Sequence, residues 1–323
     1  MQLPNELQFA AEELTAGYKQ DKLKSIAAEL SGRYRDKSGT GKSLLSEDTE
    51  AAVYANVRMP ATYGAASKAV EYAAECCDTE GIGSLLDVGA GSGAATWAAV
   101  NVLPDIEKVT CLEREGAMRR VGEKLMKQSE EPALADADWI SGDLLTMNGD
   151  LSADMVISSY VLNELSQKDL DKAAEKLWSA ADKLLIIIEP GTPKGFEVIR
   201  RVRDLLKEKG AYIAAPCPHS DACPLAADDW CHFTVRVARS RLHKLLKDGD
   251  VPYEDEKFSY IALSKEPCRP AKARVLRHPY TEKGRITLEL CTASGRQTRA
   301  VGKKDGTLFK AARKADHGDS IEL

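Results

Sequence analysis

From residue 82 onward the chain alternates short apolar runs with amphipathic stretches, and this restricts its folding more than any other feature. Runs at 84–88, 108–112, 137–140, 155–158 and 184–188 have the length and composition of strands. Segments around 93–103, 115–128, 167–181 and 195–209 carry apolar residues at helical spacing between them. Strand and helix in repeated alternation build a doubly wound, mostly parallel sheet, so the expected class is α/β. Runs at 258–263 and 274–276 are expected to complete that sheet. Residues 284–323 read as a small β unit, with a strand at 285–290 and turn points at Gly295, Gly302 and Gly306.

The expected units are a helical region over 1–80, the α/β domain over 81–280 with a cysteine-rich insertion at 211–235, and a basic β unit over 281–323. In the first, Leu3, Leu7, Ala10, Ala11 and Leu14 recur at helical spacing, as do Leu23, Ile26, Ala27 and Leu30. Ser31-Gly32 is expected to end the second run, before a polar loop at 36–43. That loop contains Gly41-Lys42-Ser43, but a phosphate-binding loop needs glycine where Asp36 stands and a strand in front, so an ATPase is not expected.

The first candidate strand runs into Asp87-Val88-Gly89-Ala90-Gly91-Ser92-Gly93 and then a helix. Glycines there let the backbone approach a ligand at the helix N-terminus, where amide donors are free. A dinucleotide is one candidate, since Gly89, Gly91 and Ala94 satisfy its fingerprint and Glu113 follows about twenty residues on. Asp87-x-Gly89-x-Gly91-x-Gly93 also resembles the signature of class I methyltransferases. That resemblance implies S-adenosylmethionine, with Glu113 on the ribose hydroxyls, Asp143 at the adenine and Ser158 completing the cofactor set. Glu189, after the fifth strand, is expected on the acceptor side. The segment 158–164 lacks the Pro-Pro turn of enzymes that methylate exocyclic amines, so no catalytic residue is assigned.

Charge is unevenly placed. Residues 269–323 hold 13 Lys and Arg against 6 Asp and Glu, whereas the whole chain is −5. An acidic body with a basic end fits a core carrying a polyanion-binding module. No apolar run is long enough to span a bilayer, which takes ~20 residues, and the acidic first thirty residues resemble neither a secretory signal nor a transit peptide. The expectation is a cytoplasmic monomer without membrane contact.

Eight cysteines without a secretory signal argue against a disulfide framework. Cys76, Cys77, Cys111 and Cys291 read as small buried hydrophobes. Cys217, Cys223, Cys231 and Cys268 form the candidate metal group. Their gaps contain no Cys-x-x-Cys pair, the usual zinc knuckle, while a four-iron cube takes one thiolate per corner from separated loops. Spacing alone leaves both open. His219 and His232 adjoin these ligands and suit supporting positions, and Trp230 is expected to pack over the site.

Pro-Cys217-Pro-His219-x3-Cys223-Pro-Leu-x4-Asp229-Trp230-Cys231-His232-Phe233 resembles the mitochondrial small-ribosomal-subunit methyltransferase-like assembly factors and their bacterial relatives. Arg58-Met59-Pro60-Ala61-Thr62-Tyr63, the glycine loop and Glu189-Pro190-Gly191-Thr192 support it. The resemblance implies a class I methyltransferase fold, a [4Fe-4S] cluster on Cys217, Cys223, Cys231 and Cys268, and an oligonucleotide-binding (OB)-like C-terminal unit. It also implies binding to the small ribosomal subunit and its rRNA during assembly, with methylation of rRNA as the activity. A non-catalytic RNA-binding assembly factor and a zinc-stabilised methyltransferase of another substrate are the alternatives.

Overall fold

Residues 84–190 fold as their apolar alternation requires. The computed structural model describes residues 1–37, 47–147, 149–226, 228–247 and 249–323. Helices α1 (Asn5–Glu13), α2 (Gln20–Lys37), α3 (Asp48–Val57) and α4 (Met59–Ala74) come first. Then follow β1 (Ser84–Val88), α5 (Ala94–Val102), β2 (Lys108–Glu113), α6 (Gly116–Met126), α7 (Pro132–Ala135), β3 (Asp138–Ser141) and β4 (Ala153–Ser159). The next elements are α8 (Gln167–Ala180), β5 (Ala181–Pro190), α9 (Pro193–Glu208), β6 (Tyr212–Ala215), β7 (Phe233–Ala238), α10 (Arg241–Leu246) and β8 (Tyr253–Ser264). The chain ends with β9 (Ala273–Val275), β10 (Tyr280–Glu282), β11 (Arg285–Thr292), β12 (Gly295–Gly302), α11 (Gly306–Ala312) and β13 (Ser320–Ile321).

The first sheet has the order β3-β2-β1-β4-β5-β8-β6, and β7 also pairs with β8. Strands β1 to β5 are parallel, and β8 enters antiparallel between β5 and β6. This is the class I methyltransferase fold. Both faces are covered, so β5 is apolar at successive positions, and Leu184 to Ile188 are all buried. Leu7, Val53, Val70 and Trp97 belong to the core on one face, and Leu177, Val202, Leu206 and Ile261 to the core on the other. Ser166 and Thr192 cap α8 and α9 by accepting from the amides of Asp169 and Gly195.

Strand β8 decides where the cysteine segment goes. Its Ala262–Ser264 end pairs with β6 and its Tyr253–Phe258 end with β7, both on the flank away from β5. Two strands therefore share one edge end to end, and the connection 216–232 must loop out between them.

The second sheet is built on β11. Strand β12 runs along one edge, β9 and β10 share the other, and β13 pairs with β9. Ile286, Leu288 and Leu290 face its own core with Val275, Val301 and Ile321. Two expectations are corrected here. Residues 273–275 do not complete the first sheet: they pair with β11 and β13 in the second, and β6 and β7 fill the flank of β8. Helix α2 continues through Ser31-Gly32 to Lys37, and residues 38–43 of the expected polar loop lie outside the described residues. Among the described residues, no helix is long and apolar enough to cross a membrane.

Buried Arg274 joins the two sheets. Its Nε donates to Pro216 O at 3.3 Å and Nη1 to Gly318 O at 2.9 Å, and the guanidinium lies over the Tyr72 ring at 4.9 Å. Asp229 accepts from Arg277 of the β9–β10 connection at 2.5 Å and from Arg296 of β12 at 2.7 Å.

Candidate functional site

The glycine loop lies at the carboxyl ends of β1, β2 and β3, where open α/β sheets bind ligands. Gly89, Gly91 and Gly93 have φ of 76°, 59° and 87°, the left-handed region that glycine adopts without strain. A Cβ at Gly89 would lie 2.4 Å from Val161, and one at Gly93 would lie 2.3 Å from Met126. Asp87 is fully buried; Oδ2 accepts from Thr96 Oγ1 at 2.7 Å, while Oδ1 has no partner. Burial pushes its carboxyl up to about 7.

Glu113, at the end of β2, accepts from the amides of Gly91 and Glu115, both at 2.7 Å. Asp143 accepts from Leu145 N at 2.8 Å, and Arg114 bridges Asp143 and Glu164 at 3.4 and 3.3 Å. Asp87, Glu113, Asp143 and the glycines thus lie together at the carboxyl ends of β1, β2 and β3. Ser158 differs: its hydroxyl donates to Val88 O at 3.0 Å and ties β4 to β1. Glu189 accepts from Leu162 N at 2.8 Å and from Asn163 Nδ2 at 2.5 Å, which holds the turn after β4. Burial raises its carboxyl to about 7. Beside that turn, Tyr160 (φ 61°) donates its hydroxyl to Glu256 at 3.0 Å, and Arg58 reaches the same carboxylate at 3.4 Å.

The second site is in the loop that β8 expels. Cys217, Cys223 and Cys231 line one cavity of about 40 Å³, together with Cys291. Cys268 is not among them. Its Sγ points to Ile213 O at 3.4 Å and interacts with Cys77, while Arg269 N donates to Cys76 O at 2.8 Å. The cause is the antiparallel register. Ser264 pairs with Tyr212, so the chain leaving β8 emerges at the start of β6, whereas the cysteine loop leaves from its end. The structure thus brings Cys217, Cys223 and Cys231 together but not Cys268, and Cys291 of the second sheet is the fourth cysteine lining the cavity.

Burial raises the thiols of Cys217, Cys231 and Cys291, the last to about 12; neighbouring thiols add to this, while Arg203 draws Cys217 back. Among the described residues, no three His, Cys, Asp or Glu side chains are grouped closely enough to hold a single metal ion. His219 Nε2 lies 3.5 Å from Cys291 Sγ. Trp230 packs in the same apolar cluster as Cys223, Cys231 and Cys291, stacks on His232 and donates Nε1 to Gly191 O at 3.0 Å.

Residues 48–322 match the family model described as mitochondrial small ribosomal subunit Rsm22. The chain belongs to the Rsm22 family. Among curated relatives, this Rsm22-family chain is 27% identical over 260 residues to the human "Ribosome assembly protein METTL17, mitochondrial", covering 74% of this chain and 55% of that one. It is 25% identical over 290 residues to "Rsm22-cox11 tandem protein 2, mitochondrial" of Schizosaccharomyces pombe, covering 74% and 38%. The chain therefore spans about half the length of the human relative and less of the yeast one. Similar solved structures include magnesium protoporphyrin IX methyltransferase of Synechocystis PCC 6803 with SAH bound. Its TM-score is 0.42 at 14% identity, covering 76% of this chain and all of that one. The plantazolicin methyltransferase BpumL gives a TM-score of 0.42 at 10% identity, covering 76% and 98%.

The cytoplasmic location expected from the sequence is overturned by these relatives, since the family model and the curated proteins it resembles are mitochondrial.

Asp87 gives the site a measurable pH signature. Its carboxyl rises from an ordinary 3.8 to about 7 on folding, so between these values the folded chain keeps a proton that the unfolded chain has released. Stability of the ligand-free protein should therefore fall as pH rises across that window. Asp87→Asn should remove this contribution, on the order of 3 kcal/mol between pH 4 and 7. Urea unfolding at several pH values checks it, and parallel curves for the two proteins would contradict it.

Proposed function

We propose that this Rsm22-family chain is a methyltransferase-fold assembly factor of the small ribosomal subunit, with S-adenosylmethionine at the glycine loop and a structural [4Fe-4S] cluster on Cys217, Cys223, Cys231 and Cys291. The observation that carries the proposal is the meeting of four thiols, three from the expelled loop and one from the second sheet, around one cavity.

The residues fit both groups. At the glycine loop, a left-handed backbone that excludes side chains lies beside the unpartnered Asp87 Oδ1. Gly89, Gly91 and Gly93 would admit the cofactor, with Glu113 and Asp143 at its ribose and adenine. Bound there, S-adenosylmethionine supplies an electrophilic methyl group. At the cavity, the four donors are soft thiols around one space, a set that a four-iron cube would take one per corner. Because Cys291 belongs to β11, such a group would fasten the second sheet to the first.

The second sheet would then present the RNA-facing surface as an OB-like unit. Lys283, Arg285, Lys303, Lys304, Lys310, Arg313 and Lys314 are exposed on it or on its connections. Their charge suits phosphate neutralisation, which makes binding salt-dependent.

A specific observation favours a second reading, binding without turnover. Both oxygens of Glu113 are engaged by backbone amides, and both oxygens of Glu189 hold a turn that carries no Pro-Pro acceptor motif. Transfer of labelled methyl groups to immature small subunits separates the readings: incorporation that Gly91→Leu abolishes supports the enzyme. Tight subunit binding without incorporation supports the non-catalytic factor.

The ligand set has its own test. Anaerobically purified Cys291→Ser should lose the brown colour and most of the iron, while Cys268→Ser should retain both. Loss on Cys268→Ser with retention on Cys291→Ser would reverse the assignment.

A further inference from the structure

Arg203 is a buried cation on the helix stripe that packs beside the thiols. It shares the inner face of α9 with Phe196, Ile199, Val202 and Leu206, where an apolar side chain is the ordinary choice, and it is 2% exposed. A charge in such surroundings is strongly destabilising if left uncompensated. Its partners compensate only in part. Nη1 donates to Asp204 at 2.5 Å, but that carboxylate side chain is 50% exposed. Nη2 donates to His219 O at 3.2 Å and Asp221 O at 2.6 Å, two carbonyls of the cysteine loop. Nε is buried and has no partner. Arg203 lines the cavity with the four thiols, and its charge acts on Cys217. Arg274, the other buried arginine there, already donates to Pro216 O, Gly318 O and Cys76 Sγ.

We infer that Arg203 is a positioning residue for the thiolate-bound group: it shapes the loop through two carbonyls and directs its unpartnered N–H and its positive charge at the sulfur of Cys217. This rests on the cluster reading above. Each electron added to a thiolate-ligated cluster makes it more negative, so a fixed cation and an N–H donor beside one sulfur raise its reduction potential and slow the loss of iron.

The test compares anaerobic holoprotein with Arg203→Gln and Arg203→Lys, measuring the midpoint potential in a dithionite titration and iron release to a chelator. Arg203→Gln should shift the potential downward and release iron severalfold faster, and Arg203→Lys, which keeps the charge, should fall between it and wild type. If Arg203→Gln folds but holds no iron, retention by Arg203→Lys supports the inference and equal loss overturns it. Equal potentials and release rates in all three proteins also overturn it. Wild type that takes up no iron and sulfide removes the cluster reading instead, which keeps the two failures distinct.

Discussion

Strand β8 is the constraint on which the other parts depend. It lies antiparallel in an otherwise parallel sheet, and its twelve residues outrun the four of β6. The rest of its flank is filled by β7, so backbone donors and acceptors along the edge are paired. The connection between these two strands cannot enter the sheet and is displaced outward with three cysteines. The same pairing leaves no place beside β8 for a further strand, and the chain after β8 goes on to form a second sheet.

That second sheet is fastened by a mixture of burial and charge. Phe196, Leu225 and Leu276 form a small apolar cluster at the joint, against which Cys223, Cys231 and Cys291 pack. Arg274 links the joint to the Tyr72 ring and to two carbonyls from separate segments. Asp229 receives one arginine from each side of β11, and this pairing is only partly exposed, so it is less screened than a surface ion pair. Apolar area of this size is modest for holding two sheets in register. A covalent group on thiols from both sides would add a constraint that neither the cluster of three residues nor the ion pairs supply.

Much of the parallel core was legible from periodicity, because strands buried on both faces read as short apolar runs. β6 was missed because four residues between Gly210 and Pro216 give too short a signal. β7 carried a clear one, since Phe233, Val235 and Val237 alternate with Thr234, Arg236 and Ala238 and are buried. The cysteine that joins the cavity from outside the loop was harder to read. Cys268 follows a strand and precedes a basic segment, so linear order made it the natural fourth member, but strand register sends it to Cys77. Cys291 had its own signal: Ile286, Leu288 and Leu290 occupy the inner phase of β11, and Cys291 falls on the opposite phase with Thr287 and Glu289. A cysteine on the outward phase of an alternating strand is not filling that strand's core. It has to face something else, and here it faces the expelled loop.

On the proposed cluster reading, a group in the thiol cavity holds the second sheet against the methyltransferase fold. Hydrogen exchange of the anaerobic protein before and after chelation of iron tests this most directly, read on 285–302 against 184–188. Removal of iron should raise exchange in β11 and β12 and leave the buried β5 unchanged. Equal protection of 285–302 in the two forms would contradict the claim.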